Sequence, residues 1–288
     1  MIDGSIIRKK RRSMHLSQRD LAANITTQTT ISNLENSSGI PNSELFNKIL
    51  RRLGLSMDDV FTEDTAEPGP YLSKADDASK NFDHQGVLDI LKKIEPNENF
   101  TDEDTLHYDF LKADAEMWLT KDYMGAIFNY NKMQEFARNK TDLSIYSVLA
   151  VCQLGTAYYY SERVDSAIHY FNELPKLLEQ IDIENNLYWT LFIMDNLTNF
   201  WSKQHEFKKS IDFGQRALEI TEKYHTIDFA DTLSFTVGEN YAYLKGWDNK
   251  KAQEYLAQSY FLVKYTGSKV AQKVIKERLT EHHISFQW

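Results

Sequence analysis

The sequence is poor in the residues that staple loops or break helices. Its single cysteine, Cys152, has no partner for an intrachain disulfide and excludes a multi-cysteine metal site. Five prolines and eleven glycines in 288 residues are too few to punctuate many short strands, so long helices are expected. No stretch approaches the ~20 apolar residues of a membrane span. The opening Met1-Ile2-Asp3-Gly4 lacks the apolar core of a secretory signal. These absences point to the cytoplasm and to no membrane partner. Cys152 lies in an apolar helical run and is expected to be a buried structural thiol. Catalytic signatures are missing as well: no G-x-x-x-x-G-K-[ST], H-E-x-x-H or G-x-S-x-G string occurs. The eight histidines are scattered without metal-ligand spacing. Neither an enzyme nor a cofactor or metal site is expected.

What is present is a division of charge. The net charge of −9 looks wrong for a nucleic-acid binder until it is split along the chain. Residues 1–60 carry nine Lys/Arg against six Asp/Glu and are +3, whereas the remainder, with 24 basic and 36 acidic residues, is −12. A basic head on an acidic body is the asymmetry expected when only the head meets phosphates.

The head divides into short amphipathic pieces. Residues 5–14 join Ile6 and Ile7 to the basic run Arg8 to Arg12. Ser17 is a suitable N-cap for a helix that turns Leu21 and Ala22 to a core. After a tight turn, Thr26 or Thr27 can cap a second short helix whose inner pair is Ile31 and Leu34. Its outer face then shows Gln28, Thr29, Ser32 and Asn33, side chains of the kind that hydrogen-bond to base edges in the major groove. A further helix is predicted to open at Pro41 and Asn42 and carry Leu45, Ile49, Leu50 and Leu53, with a last turn over residues 56–61.

These strings resemble the Xre-type, phage-repressor-like helix-turn-helix family. They are Leu16-Ser17-Gln18-Arg19-Asp20-Leu21-Ala22, Thr30-Ile31-Ser32-Asn33-Leu34-Glu35, Pro41-Asn42-Ser43-Glu44-Leu45-Phe46 and the segment 53–61. The resemblance implies a five-helix head over residues 1–61. In it Gln18 touches phosphate, Gln28, Thr29 and Asn33 lie on the recognition helix, and Arg11 pairs with Glu35 inside the fold. The candidate DNA contacts are thus Arg12, Ser17, Gln18, Thr27, Gln28, Thr29, Ser32 and Asn33. One departure matters: only five residues separate Ile25 from Ile31, a shorter turn than in phage repressors. That turn is similar to the PlcR/Rgg branch of the family.

Residues 62–70 are acidic and breaker-rich and are expected to be a linker. From Tyr71 onward the pattern is helix after helix. Leu154-Gly155-x-x-Tyr158 followed by Ala167 and Phe171 matches the spacing of a tetratricopeptide repeat. Gly155 and Ala167 would be small because two helices cross there, with Tyr158 and Phe171 filling the space beside them. Ala126, Ala167 and Ser210 recur at intervals of 41 and 43 residues, longer than the standard ~34, so the helices must be long. The prediction is an all-α chain whose repeat domain, 71–288, has about five helix pairs. They fall near 71–95, 103–138, 143–180, 184–224 and 227–265, with a capping helix near 268–284. Such pairs stack into an α-solenoid with a concave surface.

Aromatic residues, 13% of the chain, are expected mainly to fill gaps between long helices. The polar exceptions in the apolar helix around 187–201 are Asn196 and Asn199. Gln153 and Thr236 occupy the equivalent position one pair before and one pair after. A buried amide without a partner costs ~1–3 kcal/mol, so these groups need a neighbour or a ligand. Over its length the chain resembles the Rgg/PlcR group of quorum-sensing regulators. That resemblance implies that the repeats bind a short signalling peptide and form a homodimer, while the head binds double-stranded DNA. Gln153 and Asn196 fall where PlcR-like proteins carry backbone-clamping asparagines, and Gln153 departs from that pattern. The candidate peptide contacts are Gln153, Asn196, Asn199, Thr236 and Lys112. Two other readings stay open at this point: a ligand-independent repressor whose repeats only dimerise, and a scaffold whose repeats bind a partner protein.

Overall fold

The computed structural model describes residues 4–36, 43–56, 60, 68–94, 96, 97, 99–138, 143–267 and 269–284. All regular structure among them is helical, in fifteen helices. Compact packing divides the chain into two units, one of residues 1–77 and 89–101 and the other of residues 78–88 and 102–288.

The first unit contains α1 (Gly4–Ser13), α2 (Gln18–Ala22), α3 (Gln28–Glu35) and α4 (Ser43–Leu53). Its core is aliphatic: Ile7, Leu21, Ile31, Leu34, Ile49, Leu50, Leu53 and Val60, with Phe46 the one aromatic ring among the described residues. Caps set the helix starts. The Ser17 hydroxyl accepts from the Asp20 amide while the Asp20 carboxylate accepts from the Ser17 amide, a reciprocal capping box. Thr27 caps α3 by accepting from the Thr30 amide at 3.2 Å. The short turn between α2 and α3 is reached through Asn24 in the left-handed region (φ 59°), a conformation asparagine tolerates better than most residues. Arg52 on α4 donates to the carbonyls of Leu21 (3.2 Å) and Ala23 (2.5 Å), satisfying acceptors at the end of α2 with a cation. The predicted start at Pro41 and Asn42, and most of the last turn over 56–61, lie outside the described residues. Val60 is described, and it closes the core.

The following helices are α5 (Pro68–Lys80) and α6 (His84–Leu91), α7 (Asp102–Thr120) and α8 (Tyr123–Ala137), α9 (Ile145–Tyr160) and α10 (Val164–Leu178). They continue with α11 (Leu187–Lys203) and α12 (Phe207–Tyr224), α13 (Ala230–Lys245) and α14 (Lys250–Thr266), and a last helix α15 (Lys269–Glu281). These are the five expected pairs and the cap. The expected linker is shorter than 62–70, because Pro68, Gly69 and Pro70 form the first turn of α5. A first helical turn tolerates proline because its amides have no intrahelical partner to lose. Residues 62–67 lie outside the described residues.

Within the second unit, each first helix packs on its own second helix, and the first helices α7, α9, α11 and α13 also touch one another in series. The second helices make no comparable series. This puts the first helices on the inner layer. Gly155 is the crossing point foreseen in the repeat motif: a Cβ there would lie 2.8 Å from the Phe171 ring. Ala167 and Phe171 are buried, while Tyr158 is half-buried and stacks on Tyr170 at 5.4 Å. Cys152 is fully buried, and burial pushes its thiol well above the usual range, as an inert structural thiol requires.

Candidate DNA-binding face and sensor cavity

The helix-turn-helix face is held from behind by one buried ion pair. Arg11 of α1 donates to both carboxylate oxygens of Glu35 at the end of α3, from Nε at 2.5 Å and from Nη2 at 3.0 Å. Its Nη1 reaches the Leu16 carbonyl at 2.6 Å, which ties the loop before α2 to the same point. Gln18 of α2 adds a third bond to Glu35, at 2.9 Å. Burial raises the Glu35 carboxyl, but the hydrogen bonds from Arg11 and Gln18 outweigh it and the net shift is downward. Glu35 is therefore ionised and neutralised, and α1, α2 and α3 are locked together through it.

That lock fixes what α3 presents. Gln28, Thr29 and Asn33 are exposed, and Ser32 is half-buried. Gln28 donates to the Gln18 side chain at 3.4 Å, so the amides that open α2 and α3 lie side by side. Thr27 and Ser17 are exposed but spend their hydroxyls on their own caps. Arg12 is exposed on α1, one position from the buried Arg11. The Arg11–Glu35 pair implied by the family resemblance is present.

In the body, four of the five candidate peptide residues converge. A cavity of about 310 Å³ is lined by Asp114 and Trp118 of α7, Gln153 of α9, and Tyr188, Trp189, Phe192, Asp195 and Asn196 of α11. Phe229 at the head of α13, with Ser79, Phe82 and His84, completes it. A second cavity shares Trp118 and Asn196 and adds Asn199, and a third shares Asn199 and adds Thr236. Each cavity thus shares lining residues with the next. Lys112 lies elsewhere, exposed beside a separate hollow lined by Asp109, Glu116, Asn129 and Lys132. The 3.6-residue period turns it away from Asp114, two positions on along the same helix.

The amides are not idle. The Asn196 amide nitrogen donates to the Phe192 carbonyl (2.9 Å). Asn199 donates to Asp195 (2.9 Å) and accepts from Thr236 (3.0 Å). Gln153 donates to Asp114 through a short hydrogen bond, and its own Oε1, in a side chain only 1% exposed, has no partner. The two aspartates were not singled out in the sequence. Both are shifted up to about 7: Asp114 by burial, only partly offset by Gln153 and Trp118, and Asp195 by burial, only partly offset by Thr232 and Asn199. Among the described residues, neither is in an ion pair. The signal for Asp195 was available, since it stands four positions before Asn199 on one helix face. Asp114, between Ala113 and Ala115 in an otherwise buried stretch, offered the same kind of hint. The aromatic residues do more than fill gaps: six of them wall the first cavity.

A capped, exposed helix on a small aliphatic core is the arrangement of a helix-turn-helix head. The comparisons agree. Residues 7–60 match the family model described as Helix-turn-helix (HTH_3). No curated protein matches the sequence. Among solved structures, Bacillus thuringiensis PlcR in complex with the peptide PapR7 and DNA is 18% identical with a TM-score of 0.61, covering 94% of this chain and 98% of that one. PlcR from the same organism in its apo form gives a TM-score of 0.64 at 14% identity, over 96% and 98% of the two chains. ComR from S. thermophilus in complex with DNA and its signalling peptide ComS gives 0.51 at 15% identity, over 98% and 99%. At such identities the likeness is one of fold, and it extends over nearly the whole chain.

Proposed function

We propose that this chain is a cytoplasmic, peptide-controlled transcription regulator. The head binds duplex DNA with Gln28, Thr29, Ser32 and Asn33 at base edges. Arg12, Gln18 and the capped turns at Ser17 and Thr27 lie against phosphates. Two copies join through the repeat bodies and place two α3 helices on half-sites about one helical turn (~34 Å) or a multiple of it apart. A short peptide bound along the inner helices, at Gln153, Asn196, Asn199 and Thr236, biases the arrangement of the two heads.

The observation that carries this reading is that those four residues line three neighbouring cavities, each sharing a residue with the next. The fold shared with PlcR and ComR supports it, since structures of both hold a peptide together with DNA. Coupling of ~1–3 kcal/mol between peptide and DNA suffices, provided the peptide distinguishes the two arrangements.

The test is a gel-shift titration on DNA upstream of the chain's own gene, with and without synthetic peptides from neighbouring small reading frames. DNA affinity that changes with one peptide supports the sensor. A tight shift indifferent to every peptide overturns peptide control and favours a repressor whose repeats only dimerise.

A further inference from the structure

We propose that the cavity between α7, α9 and α11 is a subsite for a positively charged N–H donor, an ammonium or guanidinium group carried by the bound peptide. This rests on the peptide-sensing reading above and names the chemistry that the site selects.

The first argument is a valence count. A carboxylate accepts at about four lone-pair positions and donates nothing. Asp195 receives Thr232 Oγ1 at 2.7 Å and Asn199 Nδ2 at 2.9 Å, both neutral donors. Asp114 receives Gln153 and Trp118, also neutral. Each keeps acceptor capacity in reserve. Gln153 Oε1, buried in the same wall, accepts from nothing. Asn196 donates one N–H to the Phe192 carbonyl and has its oxygen left to offer. Each amide nitrogen keeps one further N–H, but two carboxylates, once ionised, and two amide oxygens leave acceptors in excess, so a ligand group rich in N–H donors matches the site.

The second argument concerns charge. Among the described residues no Lys or Arg lines the cavity that holds the two carboxylates, and Lys203 lines only the neighbouring one. His84 at its edge is held neutral, its pKa lowered by burial and by Lys121. The walls are the rings of Phe82, Trp118, Tyr188, Trp189, Phe192 and Phe229. Aromatic faces are electron-rich and attract cations. Lys80 already does this, its ammonium 4.8 Å from the Tyr188 ring centroid. A cation entering the cavity would pair with carboxylates that otherwise stay desolvated without a counter-charge, and a neutral group would leave them so.

The test uses the full chain and three dipeptide amides. They are acetyl-Phe-Lys-amide, with its charge on a side chain, Phe-norleucine-amide, with its charge at the free N-terminus, and neutral acetyl-Phe-norleucine-amide. Binding is followed by tryptophan fluorescence, which Trp118 and Trp189 report from the cavity wall. At least one cationic probe is expected to bind ten-fold or more tighter than the neutral one, about 1.4 kcal/mol. Which of the two does so tells whether a side chain or the N-terminus is read. In Asp114→Asn with Asp195→Asn the advantage should fall to within two-fold. Both asparagines are isosteric, and the facing amides of Gln153 and Asn199 can turn to meet them, while circular dichroism checks the fold.

A neutral probe that binds wild type as well as both cations overturns the subsite, and so does an advantage that survives the double variant. The wild-type comparison requires no variant to fold. The two proposals fail separately. A peptide that shifts DNA affinity, with no cation preference here, sinks the subsite alone. Cationic probes that need the aspartates, with DNA affinity indifferent to every peptide, sink peptide control and leave the subsite standing.

Discussion

The head and the body treat buried carboxylates in opposite ways. In the head, Glu35 is met by Arg11 in a two-pronged pair and by Gln18, and its pKa falls. In the body, Asp114 and Asp195 are met only by neutral donors, and theirs rise to about 7. The cores differ in the same sense. Among the described residues the head packs aliphatic side chains around Phe46 alone, whereas the body sets stacked and edge-on rings between its helices, such as Phe171 on Phe200 and Phe110 against Trp189. A buried charge with its partner built in is architecture: it fixes which face of α3 is outward. A buried carboxyl without one is pushed toward its neutral form, and a cavity that holds two of them has room for a cation that would favour their ionised form.

The largest effect is expected where the head's pair is broken. Arg11→Met leaves Glu35 buried with only Gln18, and should destabilise the head by about 3–5 kcal/mol. Pairing it with Glu35→Leu should recover much of that loss, because it was the orphaned charge that cost. Hydrogen exchange of α3 amides measures this locally, while tryptophan fluorescence follows the body, since every tryptophan lies beyond residue 61. Equal destabilisation by the single and double variants would refute the distinction.

The second prediction concerns pH, and its sign separates the two regions. Glu35 is held below the usual carboxylate range, so its contribution is present above that range and lost as pH falls through its folded value. Asp114 and Asp195 are raised from 3.8 to about 7, so the folded body holds their protons more tightly than the unfolded chain. Body stability should therefore decline as pH rises from about 4 to about 7 and level off above it. Asp114→Asn with Asp195→Asn should flatten that slope in urea titrations followed by tryptophan fluorescence. An unchanged slope would mean that the two carboxyls ionise freely.

Smaller effects test the DNA face. Gln28→Ala should relax base preference at one position of each half-site by about 1–3 kcal/mol, read by binding-site selection. An unchanged preferred site would show that α3 is not the reading element. Arg12→Ala should weaken all sequences alike and lower the slope of log affinity against log salt by about 0.9. A sequence-dependent loss would place Arg12 at a base edge instead.

Much of the fold was legible because helices announce themselves locally. The motif from Leu154 to Phe171 placed a crossing at Gly155, and the ring that meets it is the motif's own Phe171. Ser17 and Thr27 cap as their chemistry predicts. The prolines at 68 and 70 misled because they suit a first helical turn as well as a linker. In the groove, the equivalence of Gln153, Asn196 and Thr236 from pair to pair was visible. Its consequence was not: side chains one repeat apart become partners. Gln153 bonds Asp114 across 39 residues, and Thr232 and Thr236 reach Asp195 and Asn199 across 37. The amides noted in the sequence thus proved to be partly satisfied, by Asp114, Asp195, Thr236 and the Phe192 carbonyl.

By itself the sequence determined the helix pairs, the basic head and the outward face of α3, and its family resemblance implied the pairing of Arg11 with Glu35. Periodicity, caps and charge act within a few residues, and the head's motif is specific enough to carry one long-range pair. Only the tertiary structure decided which polar groups share a cavity and which carboxylates lack a counter-charge. Desolvation depends on everything packed around a group, and for Asp114 and Asp195 that surrounding comes from helices a full repeat away.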